Sequence, residues 1–483
     1  MTPTAPPPNP SPDPGRGDGR PHPLAGASRA ARRAVAPFGH AGYPRLAAAM
    51  LAVVLAQGTW ALTIVFEVMA QGGSPVELSV VSAAGAMGMV MFALIGGVVA
   101  DRFPPHLVLR AVMMTSAVVT TATAILSAAG VLGVGLLAAA SFLVLAGVGI
   151  FYPSYSASLP RLLPAEALLA ANGLEGSARP LLQTAAGPAL AGLLAAALSP
   201  TAGFAVVALC YAAAAVILLG LRVPALAPER VGEQTSRIPE ADPAGSAGQA
   251  LRHDDDGETV IRFPADPAEA PSGGLRSMLA DIMDGVSYVR RTAWLLGTLI
   301  FAVITVFCFV GPLEVLLPFV VRDSFGGGAA EVGLLLGVTG ASSAVGALVV
   351  SGLPLPRRYL TWIMAAWGFG TLPLLFVGLT RSWAVLVAIM IVVGATDGIG
   401  QVLWGTLLQR RVPGRMLGRV SSLDFFVSLL LMPVSMAVVG PLSAVVPVAL
   451  IFAAAAIVPA VMAVVVWLAF RMPRDEIAHP LTG

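Results

Sequence analysis

The sequence predicts an all-α membrane protein, with twelve transmembrane helices arranged as two pseudo-symmetric six-helix bundles. Three observations lead there. Of 483 residues, 57% are apolar and 11% are charged, where a soluble globular chain has about 25% charged residues. A water-facing surface for a chain of this length cannot be built from so few charges. The uncharged runs match the roughly 20 residues that a helix needs to cross a bilayer core of about 30 Å. The two halves of the chain also repeat one another. Helices are expected because each backbone polar group must be satisfied within its own segment, and the runs lack the apolar–polar alternation of a membrane barrel.

Residues 1–44 are rich in Pro, Gly and Arg without an apolar core, and read as a disordered cytoplasmic tail. The first bundle covers 45–221. Leu46 to Phe66 is span one and Leu78 to Ala100 span two. Ala111 to Pro160 is free of charge and holds two spans, broken near Gly130 to Gly135. Pro180 to Leu221 holds two more, broken at Ser199-Pro200-Thr201. Residues 222–274 mix Pro, Gly and charged residues, including Asp254-Asp255-Asp256, and read as a flexible cytoplasmic linker. Over 275–291, Leu275, Met278, Leu279, Ile282, Val286 and Val289 recur at helical steps. That predicts an amphipathic helix on the inner membrane face. The second bundle covers 292–470. Thr292 to Leu313, Val332 to Pro356, Tyr359 to Thr380 and Ser382 to Gln409 are spans seven to ten. Phe425 to Phe470 holds the last two, broken around Gly440-Pro441 and Pro447. Residues 471–483 form a cytoplasmic C-terminal tail.

An even span count puts both termini on one side. With that side cytoplasmic, every arginine except Arg322 and Arg381 falls there, as the positive-inside rule requires. The expected location is therefore the inner (plasma) membrane, multi-pass. Trp294, Trp362, Trp383 and Trp467 lie near span ends, where interfacial aromatics are expected.

The internal repeat is visible after spans four and ten. At an offset of 249 residues, Arg161 falls on Arg410, Pro164 on Pro413, Leu168 on Leu417 and Glu175 on Asp424. Glu77 and Glu331 correspond at the outer starts of spans two and eight. Parallel six-span repeats build one large class of transporters, with the substrate path between the halves.

Several chemistries are excluded. All 28 basic residues are arginine, which rules out the lysine of a GxxxxGK[ST] nucleotide site and so any such ATP site. The two cysteines, Cys210 and Cys308, lie in apolar stretches, which rules out a disulfide scaffold. No nucleophile–base constellation or metal-ligand spacing occurs, so neither an enzyme nor a metal site is expected. Nucleic acid is not an expected partner, and the chain is expected to be monomeric.

The run Gly97-Val98-Val99-Ala100-Asp101-Arg102 resembles the loop signature GxxxDRxGRR of the major facilitator superfamily, with Pro104, Pro105 and His106 replacing its later residues. Gly187-Pro188-Ala189-Leu190-Ala191-Gly192 in span five is similar to the GPxxGG end of the family's antiporter signature, with Ala191 in place of one Gly. The resemblance covers everything except 1–44 and 222–274. The pieces after spans four and ten, with the helix before span seven, most resemble the branch of macrolide efflux pumps and enterobactin exporters. Span four lacks the arginine that many proton antiporters of the superfamily carry there.

The polar residues then supply candidate sites. Asp397 lies 13 residues before Arg410, about 20 Å along a helix. A carboxylate so deep costs several kcal/mol unless paired, protonated or facing water. It is a candidate proton carrier; the alternative is a structural hydrogen bond to a neighbouring helix. Glu67 and Glu314 end spans one and seven, where they line an outward mouth or mark the interface. Gln57 and Trp60 in span one, Tyr155 in span four, and Gln401 and Trp404 in span ten suit a weakly polar, aromatic pocket for a bulky amphipathic solute, unless they are packing residues. No arginine is expected at mid-membrane. Asp101 and Arg102 cap a tight turn and read as a latch facing the start of span eleven near Arg419, or as a topogenic interfacial charge. Glu175 and Arg179, spaced i,i+4, together with Arg419 and Asp424, read as a cytoplasmic gate or as surface pairs of no consequence. Gly187, Pro188 and Gly192 read as a helix-bending motif.

The expected function is secondary active transport by alternating access. Efflux of a hydrophobic or amphipathic small molecule, with a proton gradient as energy source and no cofactor, follows from the resemblance. The alternatives are an importer or facilitator of the same fold, and a non-transporting membrane sensor or scaffold that docks a partner through 222–274.

Overall fold

A computed structural model describes residues 36–223 and 275–481. The tail over 1–35, the linker over 224–274 with its acidic triplet, and the side chains of Leu275, Met278, Leu279 and Ile282 lie outside the described residues.

Among the described residues, 12 helices are long and apolar enough to cross a membrane. In chain order the N-terminal half holds α1 (Tyr43–Ala70), α2 (Pro75–Arg102), α3 (Pro105–Ala128) and α4 (Val134–Leu162). Next comes α5, a continuous rod made of an α-helix Ala165–Ala178, a π-helical stretch Arg179–Ala186 and a second α-helix Gly187–Ala197. Then comes α6 (Pro200–Leu219). The amphipathic helix is α7 (Leu275–Arg291). Spans seven to twelve are α8 to α13. The first, α8, runs through Ala293–Gly311, a π-helical stretch Pro312–Leu316 and Leu317–Phe325. Next are α9 (Ala329–Ser351), α10 (Tyr359–Met364, π-helical Ala365–Phe369, then Leu372–Phe376) and α11 (Trp383–Arg411). The last spans are α12 (Gly414–Leu430 and Met432–Ser443) and α13 (Val448–Ala469). A short α14 (Met472–Ala478) ends the chain.

Helix ends follow local chemistry. Glu77 and Glu331 sit three residues into α2 and α9 and accept hydrogen bonds from the backbone N–H of Ser74 (2.7 Å) and Gly328 (2.8 Å), which satisfies otherwise orphaned donors. At the other face, Arg45 donates to the Gly220 carbonyl (2.7 Å) and Arg110 to those of Leu218 (2.7 Å) and Leu221, capping the C-terminal end of α6.

The repeat is expressed in the packing. In the N-terminal half α2 lies along α4, and in the C-terminal half α9 lies along α11. Both pairs approach through glycine. A Cβ on Gly88 would meet the backbone of Phe142, and one on Gly398 would meet that of Ser343. Small residues permit such helix approach where no hydrophobic effect drives it.

The halves meet along α2–α12 and α5–α9. The Gly440 N–H donates to Ser79 Oγ (2.9 Å), and Gly192 lies against Gly333 with no room for a side chain on either. These contacts lie at the ends of the rods far from the arginines, or at mid-height. One apolar core runs through the N-terminal half and across that far end of the C-terminal half. A second core, built around Trp294, Tyr359 and Trp404, stands apart at the arginine-rich end. The molecule is thus sealed at the face opposite its arginines.

Several boundaries differ from those expected. Residues 36–39 form a 3₁₀ turn against α5 and α1 begins at Tyr43, so the last residues assigned to the N-terminal tail are structured. The helix of span five begins at Ala165, ahead of its apolar stretch at Leu174, and that of span seven continues to Phe325, because a helix does not stop at a charged residue such as Arg179 or Glu314. The C-terminal tail holds a packed helix: Glu476 of α14 is buried and accepts from Thr361 N (3.1 Å) and Thr361 Oγ1 (2.6 Å), while Asp475 pairs with Arg411. Trp294 is buried in the second core under the Arg411 guanidinium instead of sitting at the lipid interface.

Candidate functional site

Two polar clusters occupy equivalent places in the two halves. In the N-terminal half, Gln57 of α1 is buried and reaches the Tyr152 hydroxyl of α4 (3.3 Å), and Gln183 of α5 donates to Gln57 Oε1 (3.2 Å). The Arg179 guanidinium lies 3.9 Å from the centre of the Tyr152 ring, a cation–π contact, and pairs with Glu175 Oε1 at 2.8 Å. The cation in this cluster has a carboxylate, and the amides have partners.

In the C-terminal half, Asp397 sits at the midpoint of α11 and engages the side chains of Gln401, Ser343 of α9 and Trp367 of α10. The Ser343 Oγ lies 3.5 Å from Asp397 Oδ2. Two turns further along α11, Trp404 Nε1 donates to Asp424 Oδ2 of α12 (3.1 Å), and Ser428 also bonds Asp424. Trp404 packs edge-on to Trp294 (6.2 Å) and near Trp367 (6.4 Å), so the two carboxylates flank one aromatic group. Among the described residues no ion pair gives Asp397 or Asp424 a cation. Glu314 of α8 completes this half. It is exposed, whereas its neighbours Leu313, Val315 and Leu316 are buried.

The three π-helical stretches coincide with these clusters. Arg179 and Gln183 lie in the first, Glu314 in the second and Trp367 in the third. A π turn inserts an extra residue, re-aims the side chains around it, and is frequent at functional sites. The first two have a proline at or beside their start and the third opens on Ala365-Ala366, but nothing in the periodicity of the sequence located them.

The expected residues fall as follows. Asp397, Gln401, Trp404 and Gln57 are brought into the two clusters. Trp60 is not; it is buried against Phe204 of α6 (5.4 Å), inside the N-terminal half. Tyr155 is likewise fully buried and stacked on Phe151 (5.9 Å), so both are packing residues in this structure. A helical stripe does not distinguish the face toward the cleft from the face toward the core. Glu67 does not line a mouth: it is buried, with Gln71 Nε2 (2.9 Å) and Ser127 Oγ (3.1 Å) on its two oxygens, and it ties α1 to α3. Glu314 lies well inside α8, not at its outer end, because α8 continues to Phe325.

The expected gate is redistributed. Arg179 lies in the first quarter of the candidate span Leu174–Ala197, within the helix and not before its start, though short of its midpoint. Asp424 turns inward to Trp404, away from any gate pair with Arg419. Arg419 instead binds Asp284 of α7 (3.1 Å) and so ties the amphipathic helix to α12. Arg102 is exposed at the end of α2, and the side chain of Asp101 lies outside the described residues. Gly187 and Gly192 act as close-approach points, the first against Gly58 of α1 and the second against Gly333 across the halves, with the Pro188 carbonyl also near Gly333. Sequence reasoning missed Gln183, Ser343, Trp367 and Ser428. Gln183 and Ser428 were open to discovery, each standing four residues after a named charge (Arg179 and Asp424). Among the described residues no group of three or more His, Cys, Asp or Glu is placed to hold a metal ion.

The family model described as Major Facilitator Superfamily matches residues 48–435. An uncharacterized MFS-type transporter of Sinorhizobium fredii is 29% identical over 401 residues, covering 80% of this chain and 84% of the relative. Solved structures share the fold at low identity. A bacterial homologue of the human lysosomal transporter Spinster, in an inward-facing and unoccupied conformation, superposes with a TM-score of 0.61 at 13% identity, over 90% of this chain and 98% of that one. A D-xylose-proton symporter gives 0.59 at 13% identity over 88% and 96%, and a nucleoside transporter gives 0.59 at 11% over 89% and 98%.

Proposed function

From the premise that this chain belongs to the major facilitator superfamily and is a multi-pass membrane transporter, we propose that it is a proton-driven exporter of a hydrophobic or amphipathic small molecule, of the macrolide-efflux and enterobactin-exporter kind. It resides in the inner membrane with both termini in the cytoplasm, and works by alternating access without cofactor or ATP. The observation that carries this reading is Asp397: a carboxylate at the midpoint of a membrane-spanning helix, held by neutral side chains and without a cation among the described residues. Such a group crosses the energetic barrier of the membrane interior most readily when protonated, so its state follows the proton supply. The side chains around the two clusters are neutral amides and aromatics, which suits an apolar solute with few polar points.

Alternating access needs two states in which the halves close at opposite faces. The tight glycine contacts of α5 with α9 are the closed side of one of them. Opening them exchanges the side from which Asp397, Glu314 and Gln57 are reached.

The test is transport in vesicles containing the purified chain, against a panel of macrolides, dyes and siderophores, with an imposed pH gradient. The expected result is uphill movement of at least one amphipathic compound in exchange for protons, abolished by a protonophore. Uptake in the same direction as the protons would make the chain an importer of the same fold. Gradient-independent equilibration would make it a facilitator. Either result would overturn the export reading.

A further inference from the structure

The arginine-rich end of the C-terminal half carries a second pocket, away from the central cleft. It has a volume of about 500 Å³ and lies between the end of α7, the end of α11 and the residues that follow α14. Its polar lining consists of groups able to donate hydrogen bonds: the guanidinium groups of Arg410 and Arg411, the hydroxyls of Tyr288 and Thr292, and the His479 ring. Its apolar lining is Trp294, Pro480 and Leu481. No carboxylate lines it.

The two arginines have different duties. Arg411 is fixed in place, with Asp475 bound by two of its nitrogens and the ring of Trp294 beneath it at 4.8 Å. Asp475 also receives His479, 3.4 Å away. Arg410, next in the chain, is exposed and makes no ion pair among the described residues. One positive charge therefore remains uncompensated at the pocket, beside hydroxyl donors and an apolar wall.

The N-terminal half serves as an internal contrast. At the 249-residue offset Arg410 corresponds to Arg161, but Arg411 corresponds to Leu162, whose side chain packs over Gly42. The repeat thus preserves the interfacial arginine in both halves, while only the C-terminal half adds the fixed arginine and the aromatic floor. A topogenic charge alone does not require that addition.

We propose that this pocket binds a phosphate-bearing anion with an apolar body, and that its occupant is the headgroup of an anionic phospholipid in the leaflet on this face. Arg410 grips the phosphate, Tyr288 and Thr292 supply neutral hydrogen bonds, and Pro480 with Leu481 lies along the start of the acyl region. Basic pockets at the ends of membrane helices attract such headgroups electrostatically. Because α7, α11 and α14 all border the pocket, a bound headgroup also ties the amphipathic helix to the last turns of the C-terminal half.

The full chain in nanodiscs tests this, using phosphatidylcholine alone, phosphatidylcholine with phosphatidylglycerol, and phosphatidylcholine with inorganic phosphate. Native mass spectrometry after release reads retained phosphatidylglycerol, and thermal unfolding reads stabilisation. The expected result is one retained phosphatidylglycerol and a raised melting temperature, with retention about tenfold weaker in Arg410→Gln, as loss of a charge-assisted hydrogen bond predicts. Tyr288→Phe should weaken retention less. Arg161→Gln, the equivalent change in the other half, should leave it unchanged. Stabilisation of the wild type by inorganic phosphate alone, lost in Arg410→Gln, would keep the anion site but make its source soluble and overturn the lipid assignment. Equal retention in the wild type and Arg410→Gln, both folded by circular dichroism, would overturn the site itself.

Discussion

At one pair of equivalent places the two halves of this protein handle the same charge differently. Glu175 in α5 and Asp424 in α12 occupy the same repeat position, and each has a partner four residues later on its own helix. For Glu175 the partner is Arg179, at 2.8 Å. For Asp424 it is Ser428, with Trp404 on its other side. The same offset sets Tyr152 on Gln401 and Tyr155 on Trp404. The equivalent position thus carries a compensated ion pair in the N-terminal half and, among the described residues, a carboxylate without a cation in the C-terminal half, whose partner Trp404 lies two turns along α11 from Asp397. In a low-dielectric setting a compensated pair holds its charge state, whereas a lone carboxylate changes its state with little else needing to move. On the proposed mechanism, the N-terminal half would position the substrate and the C-terminal half would exchange charge.

Three substitutions break or sharpen that contrast. Asp397→Asn keeps the size of the side chain and one of its two acceptor oxygens, and removes its titration. Proton-driven flux in vesicles should fall about tenfold or more, with helix content unchanged. Retention of normal flux and normal pH dependence would remove Asp397 from the mechanism. A smaller effect is expected from Ser428→Arg, which gives Asp424 the counter-ion that Glu175 already has. A partly buried pair worth about 1 kcal/mol corresponds to about a fivefold loss of flux. Ser428→Ala, which adds no charge, should cost less, and equal losses in the two variants would rule out charge as the reason. The smallest effect concerns the N-terminal half. Arg179→Ser should slow flux about threefold by leaving Glu175 unpaired and Tyr152 without its cation. Adding Glu175→Gln should restore most of that loss, because neutrality in this cluster matters more than the presence of the ions. A double variant no better than the single one would assign Arg179 a direct role with substrate.

Much of the architecture was legible because one physical quantity dominates it. Uninterrupted apolar length locates helices in a bilayer, and Gly130, Pro200 and Pro447 mark breaks between them. What apolar length does not contain is the fate of a charge inside a helix. Arg179 ends an uncharged run, so the run was taken to begin after it, yet α5 begins at Ala165 and carries Arg179 inside. Glu314 misled in the same way at the other end of a span. The site was legible where one residue alone violated the solvent, as Asp397 does. It was not legible where identity depends on which side of a rod faces which neighbour, so Trp60 and Tyr155 were grouped with Gln57 although both point into the core. The partners Ser343 and Trp367 come from other helices, and no spacing within α11 announces them.

The wide turns in α5, α8 and α10 also set a limit on how this chain tolerates change in length. Each holds one residue more than a regular turn would, and each residue of an α-helix accounts for about 100° of rotation. Removing a single amino acid from 179–186, 312–316 or 365–369 would let that stretch relax to ordinary helix, leaving the rod on either side in register but losing the re-aimed side chains of the wide turn. Hydropathy would be almost unaltered and the chain would still cross the bilayer, but Gln183, Glu314 or Trp367 would be turned away from its neighbours. In these three places a deletion invisible to any count of apolar residues becomes a change of aim.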